Sequence, residues 1–202
     1  MLKKTATALA LGFSLAAALS STALAEGTVK IGLIMPYSGP FADAGAQMQA
    51  GIDLYVKEHG DEVAGKKIVL IKKDTGGPNP DVAKRLAQEL VVRDHVDVLA
   101  GFALTPEALG AAPVATEAKK LMVDMNAATS IITEKSPYIV RTSVTIPQIN
   151  YAFGKWAAEQ GIKHAYTLVA DYGPGHDAEK SFARGFKEKG GEIVGADHSP
   201  VA

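Results

Sequence analysis

Residues 96–110 read VDVLAGFALTPEALG. A short apolar run ends at Gly101 and has the outline of a buried strand, and Thr-Pro-Glu at 105–107 opens a helix. Thr105 is a favoured N-cap, Pro106 suits the first helical position, and Glu107 complements the helix dipole. A strand that feeds a helix through a short loop is one unit of an α/β chain. The fold depends on whether that unit repeats.

It repeats in both directions. Upstream, TVKIGLIMP (28–36) reads as a strand covered on both faces, since both alternating sets turn apolar after Lys30. YSGPFADAG is a loop, and from Gly45 a helix sets Met48, Ile52, Tyr55 and Val56 on one face before Gly60 ends it. KKIVLIKKD (66–74) is a second strand, and Asn79 with Pro80 caps a helix carrying Val82, Leu86 and Leu90. Downstream of the opening stretch, the helix from Thr105 is expected to bend or break at Pro113, and LMVDMN and YIVRT supply two more strands. Such alternation predicts a mostly parallel sheet with helices on both faces.

The pattern then restarts. IPQINYAFGKWAAEQG is a helix, HAYTLVAD a strand, YGPG a tight loop, DAEKSFARGFKEKGG a helix and EIVGADH a strand. Two strands and two helices are too few to bury a parallel sheet on both faces, so this second unit reads as unfinished. Packing of these elements onto the first sheet is the alternative.

The 202 residues carry a formal charge of −1 and no cysteine. That balance argues against nucleic acid as a partner, and no basic stripe appears in the chain. The N-terminus has the marks of an export signal: basic MLKK, the apolar run TATALALGFSLAAALS, and small residues at Ala23 and Ala25. Cleavage is expected after Ala25. An exported chain without disulfides depends on a packed core.

Ligands of open α/β sheets bind outside the carboxyl ends of the strands. This rule selects the loops at 36–45, 101–106, 125–130 and 171–176. In the second of these, Thr105 could cap the helix and still donate its hydroxyl to a ligand oxygen, beside backbone N–H groups suited to an anion. In MNAATS (125–130), Asn126, Thr129 and Ser130 bring polar side chains among small residues, although a turn capped by Thr129 or Ser130 would look the same. In ADYGPG (170–175), Tyr172 could cover an apolar ligand or lie on an ordinary turn.

Signs of catalysis or cofactor binding are missing. There is no G-x-G-x-x-G after the first strand, no Walker A sequence and no G-x-S-x-G. His59, His95, His164, His176 and His198 are scattered without metal-ligand spacing, and His176 reads as a solvated helix-start residue. Trp156 reads as a core residue. Lys119–Lys120 and Lys187–Glu188–Lys189 read as solvated helix ends.

The segments VKIGLIMPYSGPFADAGAQMQAGIDLYV, AGFALTPEALGAAPVA, MNAATS, SPYIVRT and LVADYGPGHDAEKSFARGFKEKGGEIVG occur in a telling order. Over residues 28–198 the chain resembles the periplasmic substrate-binding proteins of ABC importers, of the branched-chain amino acid (leucine-binding) type. The resemblance implies a type I periplasmic binding protein fold, with two doubly wound parallel-sheet lobes closing on a small ligand. The first lobe would span 26–143 and follow a signal peptide at 1–25. The second would begin at 144 and be truncated at 202, with the hinge near Thr142–Ile146.

By position, the resemblance gives Thr105 the ligand carboxylate, with Phe102 and Ala103 at neighbouring pocket positions. Asn126, Ala127 and Ala128 fall on the loop after the fourth strand, where relatives contact the ligand, and Thr129 matches a binding threonine if that loop slips by one residue. Tyr172 matches the tyrosine that closes over the ligand. Ala44 stands where an aromatic residue is expected, with Phe41 nearby. GFALTP with NAATS and DYGPG looks closer to relatives that take aromatic or other hydrophobic carboxylates, and the implied ligand is a small hydrophobic carboxylate, either a branched-chain or hydrophobic amino acid or an aromatic acid. The implied role is an extracytoplasmic, periplasmic solute-binding component that works with importer permease subunits. It needs no cofactor and performs no catalysis. A ligand-sensing receptor of the same fold is the alternative, followed by an exported α/β enzyme.

Overall fold

Strand and helix alternate throughout residues 27–200, the part of the chain that the computed structural model describes. The export segment read at 1–25 lies outside the described residues. The elements are β1 (Gly27–Met35), α1 (Ala42–His59), β2 (Glu62–Val63), β3 (Lys66–Asp74), α2 (Pro80–Val92), β4 (Val98–Gly101) and α3 (Thr105–Ala118). After them come β5 (Leu121–Asp124), a 3₁₀ turn (Ser130–Glu134) and β6 (Ile139–Arg141). The restart consists of α4 (Ile146–Glu159), β7 (His164–Ala170), α5 (Gly173–Glu188) and β8 (Glu192–Ser199).

Strands β1 to β6 form one six-stranded sheet in the order β2-β3-β1-β4-β5-β6. Only the two-residue β2 runs antiparallel, hairpinned onto β3. The chain steps from β1 outward to β3, then crosses to the other side of β1 as β4. That reversal is the topological switch point, where the loops leaving neighbouring strands part and open a crevice.

The strand periodicity decides which residue faces which helix. Leu33 and Met35 face α1, where Met48 and Ile52 pack against them. Ile34 faces the other way, into the main core with Leu86 and Leu90 of α2 and Ala108, Ala111 and Ala115 of α3. Tyr55 departs from the expected face of α1 and is exposed. Asn79 caps α2 as its sequence predicts, its side-chain oxygen accepting from the N–H groups of Asp81 and Val82 at 3.1 Å.

Three boundaries differ from the sequence reading. Helix α1 begins at Ala42 rather than Gly45. Helix α3 runs unbroken through Pro113. The proline removes one N–H, but Ala111, Ala112, Val114 and Ala115 are all buried, and that packing holds the helix together across it. Gly173, Pro174 and Gly175 form the first turn of α5 instead of a loop before it.

The restart builds its own sheet. Strands β7 and β8 pair in parallel, and neither joins the first sheet. Helices α4 and α5 pack closely because glycines sit at their crossing. A Cβ on Gly154 would come 2.2 Å from the Phe182 carbonyl, and one on Gly185 would come 2.2 Å from that of Tyr151. The helices cover one face of this sheet, burying Thr167 and packing Phe186 against Ala165 and Ile193. The opposite face leaves Tyr166, Leu168 and Val194 exposed, as expected for two strands and two helices. Trp156 is not a core residue: it is 53% exposed and stacks on Phe153, while Gly154, Ala157 and Ala158 carry the buried side of α4.

Candidate functional site

The loop after β4 is shaped by backbone conformations that few residues adopt. Gly101 has φ +110°, and a Cβ there would meet the Ile34 carbonyl at 2.4 Å. Phe102 follows at φ +63°, a left-handed conformation rare for a bulky residue. Its N–H donates to the Ile34 carbonyl at 2.8 Å, and its carbonyl accepts from Ala127 at 2.9 Å. The strained residue thus pins the end of β1 and the loop after β5 to one another. The Phe102 side chain is fully buried in the core of the first sheet, so the ring is not a surface of the crevice. Ala103 is buried as well, and its carbonyl accepts from the Asn126 carboxamide at 2.8 Å.

Thr105 is not the helix cap that its sequence context predicts. Leu104 holds that position, Thr105 is the first helical residue and Pro106 the second. The capping work falls to Glu107, whose Oε2 accepts from the Leu104 N–H at 2.9 Å. Its Oε1 accepts from the Thr75 hydroxyl. Glu107 is completely buried, and burial lifts its carboxyl to about 7 against the pull of the Thr75, Leu104 and Ala103 donors.

Relieved of capping, the Thr105 hydroxyl lies 2.6 Å from that of Thr129, and both residues are 4% exposed. Two hydroxyls bring two hydrogens, and their mutual bond uses one. The second is left to be donated to an acceptor. Gly173, the first residue of α5, stands over the pair: a Cβ on it would lie 3.4 Å from the Thr129 methyl and 3.8 Å from that of Thr105. The starts of α3, α5 and the 3₁₀ turn therefore converge on two buried hydroxyls. Helix starts carry unpaired N–H groups and a positive dipole end, so this junction can hold an anion.

The loop after β5 is tied down by charge. Arg141, at the end of β6, donates from Nη2 to the Thr129 carbonyl at 2.6 Å and from Nε to Asp124 Oδ2 at 3.2 Å. Asp124 is fully buried, and burial outweighs the guanidinium to hold its carboxyl up at about 6. Ala127 is buried, and Ala128 gives its carbonyl to the N–H of Ile146 at 2.9 Å. The crossover at 142–146 thus leans on the same loop. Across the junction, Asp177 Oδ2 of α5 accepts from the Ser130 N–H at 2.7 Å, joining the two units.

Tyr172 is the extended N-cap residue of α5, half-buried, with its carbonyl taken by His176 N–H at 3.1 Å. On the opposite rim, Asp74 Oδ1 accepts from the N–H groups of Tyr37 at 2.8 Å, Ser38 at 3.2 Å and Gly76 at 2.9 Å, fixing the loop after β1. The structure thus brings Ala103, Thr105, Asn126, Ala127, Ala128 and Thr129 together, with Gly173, the residue after Tyr172, over the two threonines. It turns Phe102 inward.

Sequence reasoning missed Glu107 as a buried acid, the Asp124–Arg141 pair and Asp177. A signal existed for two of them. Glu107 lies three residues after Leu104, at capping-box distance. Arg141 is a lone cation closing an apolar strand. The histidines also differ from their sequence reading, because the fold brings His176 and His198 together with Glu179.

A family model described as "Periplasmic binding protein" matches residues 28–202. The chain belongs to the periplasmic binding protein family. It is 46% identical over 202 residues to Leu/Ile/Val-binding protein homolog 6 of Brucella abortus, covering all of this chain and 50% of that protein. It also superposes on the solute-binding protein of an ABC transporter from Rhodopseudomonas palustris BisB5 in complex with 3,4-dihydroxybenzoic acid. That match has TM-score 0.84 and 54% identity, covering 87% of this chain and 48% of the other. A second R. palustris solute-binding protein, in complex with 4-hydroxybenzoate, matches with TM-score 0.84 and 47% identity over 87% and 48% of the two chains.

The chain spans about half the length of the curated relatives it matches. The periplasmic binding protein family and these neighbours are substrate-binding proteins of ABC transporters, not enzymes, and family membership implies an extracytoplasmic location. The α/β architecture with its parallel sheets is that of the type I periplasmic binding proteins.

Proposed function

We propose that this chain carries the first lobe and the opening part of the second lobe of a solute-binding protein feeding an ABC importer, with a small aromatic carboxylate as ligand. The lobes divide at 143/144, and Thr142–Ile146 is the hinge. The observation that carries this reading is the buried Thr105–Thr129 hydroxyl pair beneath the start of α5. Its spare hydrogen and the converging helix starts fit a carboxylate oxygen. The bound 3,4-dihydroxybenzoate and 4-hydroxybenzoate of the two structural neighbours support the same chemistry, and ligands of that type reach this chain by similarity.

Thr105, Thr129 and the backbone of 126–128 would hold the carboxylate end, and Tyr172 would close against the ring. Phe102 would act through the strained backbone that shapes the loop. Closure would bring α5 over the first lobe and form the Ser130–Asp177 contact. Export with cleavage after Ala25 completes the reading, and N-terminal sequencing of the secreted protein tests it. The permease subunits of the importer are the proposed partners.

Isothermal titration with 4-hydroxybenzoate, benzoate and leucine tests the ligand class. Binding of the aromatic acids in preference to leucine is the expected result. Binding of leucine alone would overturn the aromatic assignment and leave the solute-binding role standing.

A further inference from the structure

His176 and Glu179 are three residues apart on α5, so they project from one face of the helix. Strand β8 runs beside that face and presents His198. One donor atom from each of the three lies within 4.8 Å of the others. His198 Nε2 is 3.0 Å from Glu179 Oε2, and the two imidazoles meet edge to face with ring centres 5.1 Å apart. Asp171, immediately after β7, brings a second carboxylate, its Oδ1 3.1 Å from His176 Nε2.

We propose that His176, Glu179 and His198, with Asp171 as a fourth donor, form a binding site for a divalent transition-metal ion of the zinc class. Two imidazoles and two carboxylates are a zinc-type donor set, whereas magnesium and calcium take oxygen almost exclusively. Around a tetrahedral zinc with bonds of about 2.0–2.1 Å, neighbouring donors sit roughly 3.4 Å apart. His198 and Glu179 already approach more closely than that. The remaining adjustment falls on the half-exposed side chains of His176 and Asp171, which are free to turn.

The carboxylate is also oriented from behind. Thr167 of β7 donates its hydroxyl to Glu179 Oε1 at 2.6 Å, so Oε2 is the oxygen aimed at His198. Such a partner behind a metal-binding carboxylate fixes its rotamer and strengthens the site. Two separate ion pairs, Glu179 with His198 and His176 with Asp171, would account for the contacts within each pair but not for the approach of one pair to the other. A shared cation accounts for the convergence of His176, Glu179 and His198 and for the edge-to-face meeting of the two imidazoles.

The test is a zinc titration of the untagged full chain in competition with a chromophoric chelator. One zinc per chain, bound at micromolar or lower concentration and not displaced by millimolar magnesium, is expected. His176→Gln and His198→Gln should each weaken binding by more than about tenfold, and Thr167→Val by about tenfold. His164→Gln, at the other end of β7 beside Glu192, should leave it unchanged. Circular dichroism of each variant confirms folding before titration. Absence of stoichiometric binding, or binding unaltered by both His176→Gln and His198→Gln, would overturn the proposal.

Discussion

Arg141 and Thr129 lie 12 residues apart, and the guanidinium of one holds the backbone carbonyl of the other at 2.6 Å. The same guanidinium reaches Asp124 at 3.2 Å, so one side chain on β6 fixes both ends of the loop that carries Asn126 to Thr129. Its side chain is only 6% exposed and that of Asp124 is fully buried. A buried pair of this kind adds little over an apolar pair, but removing one partner leaves a charge without compensation. Arg141→Met should therefore lower stability by about 3–5 kcal/mol in urea unfolding. A loss below about 1 kcal/mol would mean that water reaches Asp124 and that the loop does not depend on Arg141.

Thr105→Val keeps the shape of the side chain and deletes the hydroxyl. Since Leu104 and Glu107 close the start of α3, the helix should survive the change. Ligand affinity should fall by about 1–3 kcal/mol, as for a lost hydrogen bond to a charged group. Calorimetry and thermal unfolding together separate the roles. Unchanged affinity with lowered stability would make the hydroxyl pair a packing feature only.

Stability should depend on pH through two buried acids. The Glu107 carboxyl is raised from an ordinary value of 4.5 to about 7, so the folded chain holds its proton more tightly than the unfolded chain. Its stabilising contribution is complete below the unfolded value and is lost as pH climbs through about 7. Asp124 acts with the same sign between its ordinary 3.8 and about 6. Urea midpoints should fall between about pH 4 and about pH 7 and level off above that. In Glu107→Gln the amide can accept from Leu104 and donate to Thr75, so folding is kept and the slope should flatten. An identical slope in wild type and variant would remove Glu107 as its source.

Asp177→Ala removes the acceptor for the Ser130 N–H, a contact that ties α5 to the loop after β5. Aromatic-acid affinity should drop about fivefold, matching one modest hydrogen bond, with the change in the dissociation rate. Stopped-flow fluorescence measures that rate. A slower association with unchanged dissociation would point to a role before closure rather than after it.

Much of the architecture is legible in local sequence. Apolar runs in 28–36 and 66–74 mark strands, and the Asn79–Pro80 start of α2 is read correctly from two residues. The strand-end loops are legible too, because Gly, Pro and small polar residues gather there. Within those loops residue types are legible and side-chain directions are not. Thr105 looks like a cap because caps are common at Thr-Pro. Phe102 stands at a pocket position by family resemblance alone. The first is displaced by Leu104 and Glu107, and the second is turned inward by a positive φ that no residue type announces.

By itself, then, the sequence determined the succession of elements and the loops that could carry a site. These follow from periodicity and capping, which act over a few residues. The tertiary structure alone decided which side chains meet. Thr105 reaches Thr129, Glu107 reaches Thr75, Arg141 reaches Asp124 and His198 reaches Glu179 across separations of 24, 32, 17 and 19 residues. Such pairings depend on strand order and helix packing, and in the register of β4 on β5 a shift of one residue would turn each side chain to the opposite face.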